Sequence, residues 1–299
     1  MLIRLLTGLL LLAVGAGRLM AEDMSLSDVL IPGEGWKRVA DGYQFTDAAC
    51  ADAEGNFYFA DVAKGGAVFK IAPDGKVSTY ISNAPRISGL KFGPDGHLYA
   101  ATQGALKQII SFLPTGAIRV LVSDVEPNDL VVSHKGFVYF TETDKGRVSV
   151  ITPAGLVQVA DEGPYKPNGI TLSADQGTLA TTDFTGQAVM TFRVETNGNL
   201  TAREPYMPLR TPAGKVQSQG DGMTTDSKGR YYAASAVGIQ VFDPTGRACG
   251  VILKPDAGFI SNVAFAGPEL SYLYVTASDK IYRRKTQAKA CLFFQPPLR

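Results

Sequence analysis

The sequence predicts an all-β protein, a six-bladed β-propeller with four-stranded antiparallel blades. Three observations carry this prediction: a polar segment recurs six times, most copies lie about 40 residues apart, and short strands joined by Gly turns follow each copy. The composition of 32 Gly, 17 Pro, 12 Tyr and 15 Phe is typical of many short strands and turns. With 45% hydrophobic residues and 29 basic against 28 acidic side chains, the chain is neither disordered nor an electrostatic nucleic-acid binder.

Each copy of the repeat begins with a polar residue that we call the anchor. The anchors are Asp47, Ser88, Asn128, Asn168, Asp221 and Asn262. A short strand, a hairpin turn and a second strand follow, as in 137–142, and two further strands complete a unit of the size of a propeller blade. The interval from Asn168 to Asp221 is the longest and predicts an insertion between Asn199 and Gln219, around 205–210, that forms a loop over one face.

The two ends of the repeat predict how the ring closes. One strand's worth of sequence, 35–40, precedes the first anchor, and the repeat weakens after 280–285. We therefore expect the N-terminal strand to complete the last blade, which leaves no long open sheet edge. Residues 22–299 are predicted to form a single propeller domain.

The N-terminal segment has the pattern of a secretory signal. A basic start is followed by an apolar run over 5–17 and by the small residue Ala21, so residues 1–21 are interpreted as a cleaved signal peptide, with an uncleaved anchor as the alternative. Export predicts a periplasmic or secreted protein. No later apolar run is long enough to cross a bilayer, and we expect no membrane span after cleavage.

The cysteine count allows at most one internal disulfide. Cys50, Cys249 and Cys291 are the three cysteines, and Cys249 with Cys291 is the preferred pair. The alternative is that all three are small buried hydrophobic residues. The chain contains no CxxC, which argues against a zinc or thioredoxin-like site.

The anchors predict a ligand site at one mouth of the propeller, because the first strand of each blade lines the central channel. A second set of polar residues ends the second strands and should return to that face: Asp61, Thr102, Glu142, Asp183 and Ser235. Carboxylates that converge repel one another unless a cation or protons relieve them. Oxygen ligands favour Ca²⁺, and less specifically Mg²⁺ or Mn²⁺. The alternative is that each anchor is a turn residue that caps local backbone.

At these positions the chain resembles the senescence-marker-protein, gluconolactonase and luciferin-regenerating-enzyme family of six-bladed propellers. The resemblance covers nearly the whole of 22–299 and rests on an ordered set of segments at blade spacing: 54–61, 127–132, 137–142, 167–170 and 221–223. The family binds one divalent cation at the channel mouth, which implies Asp47, Asn168 and Asp221 as metal ligands with Asn128 beside them.

Two positions depart from the family pattern. Asp47 stands where the family has Glu, one methylene longer, and the Trp that usually follows is absent. Glu126 stands where the sugar-lactone enzymes tend to have Arg. These differences put gluconolactone itself in doubt as the substrate.

The residues favour metal-assisted hydrolysis over a serine triad. No GxSxG is present, and the only histidines, His97 and His134, fall near hairpins that face away from the anchors. A cation would polarise an ester carbonyl while a carboxylate activates water, and Asp221 is the preferred base. Tyr165 and Lys166 could contact substrate or be exposed loop residues.

The leading interpretation is therefore a divalent-metal-dependent hydrolase of a lactone or related ester, with one cation, Ca²⁺ preferred. Its substrate is a small molecule, and we expect a monomer with no nucleic-acid partner. The main alternative is a non-catalytic propeller that binds a ligand or partner. Resemblance to the strictosidine-synthase branch is weaker because three metal-ligand positions remain recognisable.

Overall fold

A computed structural model describes residues 24–297, which form six antiparallel four-stranded sheets arranged in a ring. In blades 1 to 5 the strands follow one another from the channel outward. The innermost strands of successive blades touch, and those of the sixth and first blades also touch, so the ring is closed. The predicted six-bladed propeller is confirmed.

The first three blades run from buried inner strands to largely exposed outer ones. Blade 1 contains β2 (Thr46–Ala51), β3 (Phe57–Asp61), β4 (Gly66–Ile71) and β5 (Val77–Ala84). Blade 2 contains β6 (Ile87–Phe92), β7 (Leu98–Thr102), β8 (Ile109–Phe112) and β9 (Ile118–Val122). Blade 3 contains β10 (Leu130–Val132), β11 (Val138–Glu142), β12 (Arg147–Ile151) and β13 (Val157–Glu162).

The remaining blades repeat this order, with β1 (Lys37–Asp41) added at the end of the ring. Blade 4 contains β14 (Pro167–Leu172), β15 (Thr178–Asp183), β16 (Ala188–Val194) and β17 (Leu200–Pro208). Blade 5 contains β18 (Met223–Thr225), β19 (Tyr231–Ser235), β20 (Gly238–Phe242) and β21 (Ala248–Ile252). Blade 6 contains β22 (Ile260–Ala266), β23 (Tyr272–Ala277), β24 (Lys280–Lys285) and β1. Short 3-10 turns lie at Leu26–Asp28, Thr143–Lys145 and Pro268–Leu270.

The N-terminal strand closes the ring, as predicted. β1 pairs antiparallel with β24, so that Lys37 lies opposite Arg283 and Asp41 opposite Lys280. The last blade is therefore built from both ends of the described chain, and its outer edge is formed by a strand from the opposite end of the sequence. The pairing of β1 with β24 thus joins the two ends of the chain without a covalent bond between them.

The hydrophobic core lies between the blades. Between blades 3 and 4, for example, Val131 and Tyr139 pack with Ile170 and Leu172. All residues of β2, β14 and β22 are buried, whereas β5 and β9 are largely exposed. Burial of apolar area stabilises the ring by about 25 cal/mol per Å².

Aspartates in the hairpin turns tie the first strand of a blade to the second. Asp52 accepts hydrogen bonds from the Asn56 N–H at 2.8 Å and from the Tyr58 hydroxyl at 2.7 Å. Asp226 does the same for the Arg230 N–H and the Tyr232 hydroxyl. These turns lie at the end of the channel opposite the anchors, which we call the back; the anchor end is the front.

The segment after β24 lies across the back of the channel. Ala290 forms a β-bridge with Asp226, and Phe293 packs into the core between blades 3 and 4. The Gln176 side-chain amide donates to the Phe293 carbonyl at 3.0 Å. Residues 290–294 and the inner strands line a small apolar chamber, so the tail closes the back end of the channel.

Two predictions about local structure were wrong. The extra residues before Asp221 do not form a loop around 205–210; they lengthen β17, and the loop follows at 209–222. All three cysteines are free thiols, so the preferred Cys249–Cys291 pair does not form. Cys249 lies on the outer strand of blade 5, whereas Cys291 packs with the core between blades 3 and 4.

Two further observations concern membranes and the N-terminus. Within residues 24–297, no helix has the length and apolar composition to cross a membrane. The predicted signal peptide, 1–21, lies outside the described residues and stays a prediction.

Candidate functional site

The inner strands present their anchors through β-bulges at the front of the channel. The pairing register between the first and second strands shifts in blades 1, 2 and 4. The shifts lie between Asp47 and Cys50, between Ile87 and Gly89, and between Pro167 and Ile170. An extra residue in one strand breaks the alternation of side chains and re-aims the bulged residue. In blades 1, 2 and 4 the anchor therefore lies at the start of a bulge or within it.

Hydroxyl groups of neighbouring blades hold the anchor backbones in place. The Ser88 hydroxyl donates to the Asn128 carbonyl at 2.6 Å, and the Thr141 hydroxyl donates to the Asn168 carbonyl at 2.6 Å. In the same way the Thr182 hydroxyl reaches the Asp221 carbonyl at 3.0 Å. Each of these bonds joins one blade to the next, from blade 2 to blade 5.

Most of the predicted site residues are buried at this mouth. Asp47, Asn168 and Asp221 are at most 8% exposed, whereas Asn128 is half-buried and lines a side cleft. The carboxylates of Asp47 and Asp221 are close enough for each to be affected by neighbouring carboxylates. The fold thus brings the predicted residues to one place, with Asn128 at its edge.

The sequence analysis placed the sixth anchor, Asn262, one residue too far along the chain. In blade 6 the ladder pairs Ile260 with Ala277 and Asn262 with Thr276, so the bulged residue is Ser261. Ser261 uses its hydroxyl to donate to the Thr46 carbonyl at 2.7 Å. Asn262 belongs instead to the position that follows the anchor.

Asp129, the residue after the third anchor, was missed by the sequence analysis. Its N–H donates to the Thr141 hydroxyl at 3.1 Å, as the N–H of Gly169 does to Thr182 in the next blade. The other blades, except the last, carry a small residue at this position: Ala48, Gly89, Gly169 and Gly222. Asp129 and Asn262 are large polar residues where the other blades have small ones, and this difference in the sequence could have marked them as site residues.

Asp129 and Asn262 fill the space that two glycines leave. A Cβ on Gly89 would lie 2.9 Å from Asp129 Oδ1, and a Cβ on Gly222 would lie 2.1 Å from Asn262 Oδ1. Asn262 in turn donates from Nδ2 to Asp47 Oδ1 at 3.2 Å. A second polar layer therefore lies beneath the anchors and contacts one of them.

Burial disturbs all three channel carboxyls, and repulsion by neighbouring carboxylates adds to it at Asp47 and Asp221. Burial, followed by the Asp129 carboxylate, raises the pKa of Asp47 to about 7. Burial, then Asp47 and Asp129, raises the pKa of Asp221 well above its usual range. Burial also raises the pKa of Asp129. A cation in this place would relieve the repulsion.

Two buried oxygens here have no hydrogen-bond partner. They are Asn168 Oδ1 and Asp129 Oδ2, in side chains that are 5% and 1% exposed. A buried polar atom without a partner is costly and points to a missing ligand. Within residues 24–297, no three His, Cys, Asp or Glu side chains come together to hold a metal, so amide oxygens would have to contribute. The donor set fits a hard cation such as Ca²⁺.

The predicted second set of acidic residues does not join the site. Asp61 accepts from the Gln44 and Phe45 N–H groups, and Asp183 accepts from the Lys166 N–H. Burial by itself would raise the pKa of Glu142. Hydrogen bonds outweigh burial and lower this pKa to about 2; the donors are Arg147, the Glu126 N–H, Ser149 and Lys145. Each of these carboxylates holds the loop that enters its own blade, a role that sequence spacing could not distinguish from ligation.

Tyr165 and Lys166 were considered as substrate contacts or as exposed loop residues. Tyr165 is neither, and Lys166 lies at the rim of the channel mouth. Tyr165 is buried, and its hydroxyl donates to Asp161 at 2.8 Å. Lys166 Nζ donates to the Asp144 carbonyl at 2.9 Å, and Asp144 lines the side cleft. Glu126 lines this cleft too, with Lys107 Nζ 2.6 Å from its Oε1. His97 and His134 lie at back hairpins, as predicted, but both are half-buried.

The sequence and the fold both match known proteins. The profile described as the SMP-30/Gluconolactonase/LRE-like region matches residues 91–279. The chain belongs to this family. A protein named gluconolactonase from Zymomonas mobilis subsp. mobilis is 26% identical over 83% of this chain and 80% of its own length. Pentonolactonase XacC from Haloferax volcanii is 27% identical over 64% of this chain and 67% of its own.

A solved protein of similar fold is named regucalcin. It is a calcium-binding protein from Agrobacterium tumefaciens, and it superposes with a TM-score of 0.72 at 15% identity over 89% of this chain and 98% of its own. At this identity the likeness establishes the fold alone. The family assignment and the front of the channel together define the candidate site.

Proposed function

We propose that the protein is a divalent-metal-dependent hydrolase of a lactone or related carboxylic ester. Asp47, Asn168 and Asp221 would hold one cation, with Asn128 as a fourth ligand or a substrate contact. The observation that carries the proposal is the buried, unpartnered Asn168 Oδ1 at the mouth that also holds the two crowded carboxylates. Ca²⁺ is the candidate cation because the donors are carboxylate and amide oxygens.

The family relatives support this reaction class. Two curated relatives are named as lactonases, one for gluconolactone and one for pentonolactones. The regucalcin neighbour is described as calcium-binding. The two lactonases are only 26% and 27% identical to this chain. We therefore propose that a carboxylic ester bond is hydrolysed and propose no particular sugar lactone as the substrate.

The residues around the site have distinct tasks in such a reaction. A bound cation would polarise the ester carbonyl. Asp221, whose pKa burial and the neighbouring carboxylates raise, suits the general base that takes a proton from water. The water oxygen bonds to the carbonyl carbon, the ring C–O bond breaks, and the proton held by Asp221 passes to the departing oxygen. The product is the open-chain hydroxy acid.

The side cleft is the natural place for the substrate's hydroxyl groups. It opens beside Asn128 and is lined by Gln103, Lys107, Glu126 and Thr143. Glu126, which replaces the family's usual Arg, is paired with Lys107. The cleft therefore combines the ammonium of Lys107 with the carboxylates of Glu126 and Asp144, and it offers donors and acceptors that suit a polyhydroxylated ring.

A lactone panel assayed with and without chelator tests the proposal. We expect turnover that chelator abolishes and Ca²⁺ restores, and a loss of about 100-fold or more in Asp221→Asn, which removes the base. Asp74→Asn makes the same chemical change in an exposed back turn and should retain activity. If no lactone or ester is turned over while Ca²⁺ binds, the non-catalytic ligand-binding propeller is the better description.

We also infer that the chain is exported, because residues 1–21 have the order of a cleaved signal peptide. Mass spectrometry of the protein purified from its native cells should find a chain that begins at Glu22. Recovery of the intact 1–21 segment would contradict this proposal.

A further inference from the structure

The inner strands of the described chain bring one basic side chain into the channel. Among the described residues, the six inner strands contain one Lys or Arg, and it is Lys91 on β6. Its neighbours deeper in the channel are apolar, since Val131, Ala264 and Phe293 line the same chamber. An ammonium in such surroundings requires specific partners.

The geometry places the ammonium of Lys91 between two of the acidic strands. Lys91 Nζ donates to the Ala49 carbonyl at 2.9 Å, two residues along β2 from Asp47. Gly89 stands two residues before Lys91 on β6, so both positions face the same side of that strand. Asp129 leans over this glycine, with Oδ1 2.9 Å from where its Cβ would be.

The charges in the channel then have a simple count. When all three are ionised, as a bound cation would require, Asp47, Asp129 and Asp221 carry three negative charges, and Lys91 carries one positive charge. Lys91 is the leading influence that opposes the effect of burial on the pKa of Asp129, and it also lowers the pKa of Asp47. Two negative charges remain without a partner, which is the charge of one divalent cation.

We propose that Lys91 is a positioning residue, a built-in cation that neutralises Asp129 and leaves Asp47 and Asp221 for a single divalent ion. The proposal rests on the metal site of the proposed function and adds to it the residue that balances the charge of that site. Lys91 touches neither substrate nor metal in this account. It sets the electrostatic potential into which the metal binds.

Calorimetry of Ca²⁺ binding to chelator-treated protein tests the charge balance. Lys91→Met keeps the apolar stem but removes the charge, so Ca²⁺ should bind about tenfold tighter or more. Asp129→Asn removes a negative charge from the same place, so binding should weaken by about tenfold. The double variant should return to within about threefold of the wild-type affinity, with one ion bound in each case.

Two further variants control for packing. Lys91→Arg keeps the charge and should stay nearer to the wild-type affinity than Lys91→Met does. Lys76→Met removes a charge from an exposed back turn and should leave the affinity unchanged. A purely structural role for Lys91 predicts the opposite sign, because a disturbed channel binds Ca²⁺ more weakly. If Lys91→Met does not fold, Asp129→Asn alone must still weaken binding.

The outcomes separate this inference from the proposed function. Affinity that is unchanged or weaker in Lys91→Met, or a wild-type protein that binds no Ca²⁺, overturns the inference. Chelator-sensitive lactone hydrolysis together with an unchanged Lys91→Met affinity would leave the proposed function intact and remove the role of Lys91. If the affinities follow the expected pattern but no lactone is turned over, the role of Lys91 stands and the hydrolase function is removed.

Discussion

Asp47 stands where the family pattern has the longer acid Glu, and two hydrogen bonds constrain its side chain. Its Oδ1 accepts from the Ala48 N–H at 2.8 Å and from Asn262 Nδ2 at 3.2 Å. These two bonds hold the shorter acid in one orientation. The shortening by one methylene is therefore accompanied by side-chain support from the last blade.

Substitution of Asp47 should show whether it binds the cation. Asp47→Asn keeps the shape and removes the charge, so Ca²⁺ affinity should fall by about tenfold or more. Asp47→Glu restores the family's usual acid and should keep or tighten binding. Calorimetry measures both. Equal affinity in Asp47→Asn and the wild type would assign Asp47 to local backbone capping instead.

The buried carboxyls also predict how stability changes with pH. Burial raises the pKa of Asp47 to about 7 and that of Asp221 well above normal, so both bind protons more strongly in the folded chain. Their contribution is full below the unfolded pKa of about 4 and is lost as pH rises through the folded values. Glu142, with its pKa lowered to about 2, acts only at lower pH.

Chelator-treated protein should therefore lose stability between about pH 5 and pH 8, with a fall in Tm of roughly 5 °C. Saturating Ca²⁺ should flatten this decline, because the cation replaces the protons. Thermal denaturation across this pH range, with chelator and with Ca²⁺, makes the comparison. A flat profile in chelator would mean that the three carboxyls do not interact as the structure implies.

At the scale of the strand, the front of the channel depends on a contact between inner strands of adjacent blades. Gly222 at the end of one blade's anchor segment faces Asn262 of the next, and a Cβ there would lie 2.1 Å from Asn262 Oδ1. Backbone bonds add to this contact, since the Gly222 N–H donates to the Ser261 carbonyl at 2.8 Å. The glycine is required by space and not by its φ angle.

Gly222→Ala should accordingly displace Asn262 and lower the free energy of unfolding by about 1–3 kcal/mol. Ca²⁺ affinity should fall as well, because Asn262 supports Asp47. Gly35→Ala adds the same methyl group where nothing lies within 4 Å, so its effect should stay within about 0.5 kcal/mol. Urea denaturation of the two variants gives the comparison, and equal stabilities would contradict the steric argument.

At the scale of the whole molecule, both ends of the described chain complete the ring. The N-terminal strand closes the last blade at the rim, and the C-terminal tail closes the channel at the back. The candidate site lies at the other end of the channel, the front. Phe293 holds the tail, since it is buried against Val131 and Ile170 of two neighbouring blades.

Phe293→Ala should remove this attachment and cost about 3 kcal/mol of unfolding free energy. Phe294, which is half-buried and only meets Phe92 edge-on at a centroid distance of 6.3 Å, should cost clearly less when replaced by Ala. Chemical denaturation compares the two. If both variants are as stable as the wild type, the tail lies on the ring without contributing to its stability.

The sequence by itself determined the number of blades, the four-stranded unit, the closure by the N-terminal strand and the face on which the anchors gather. These features recur at intervals of about 40 residues in most of the chain, and each copy depends on alternation and turns within its own blade. A local pattern that repeats can be read without knowing which blades are neighbours. Asp47, Asn168 and Asp221 were found in this way.

Only the tertiary structure decided which polar groups meet across the ring axis. Asp129 and Lys91 come from blades 3 and 2, Asp47 from blade 1 and Asn262 from blade 6, and no spacing within one blade relates them. Glu142 and Asp183 looked like ligands for a different reason: each accepts from an N–H of the loop that enters its own blade, at Glu126 and Lys166. Contacts between distant segments depend on ring closure, which a single repeat does not encode.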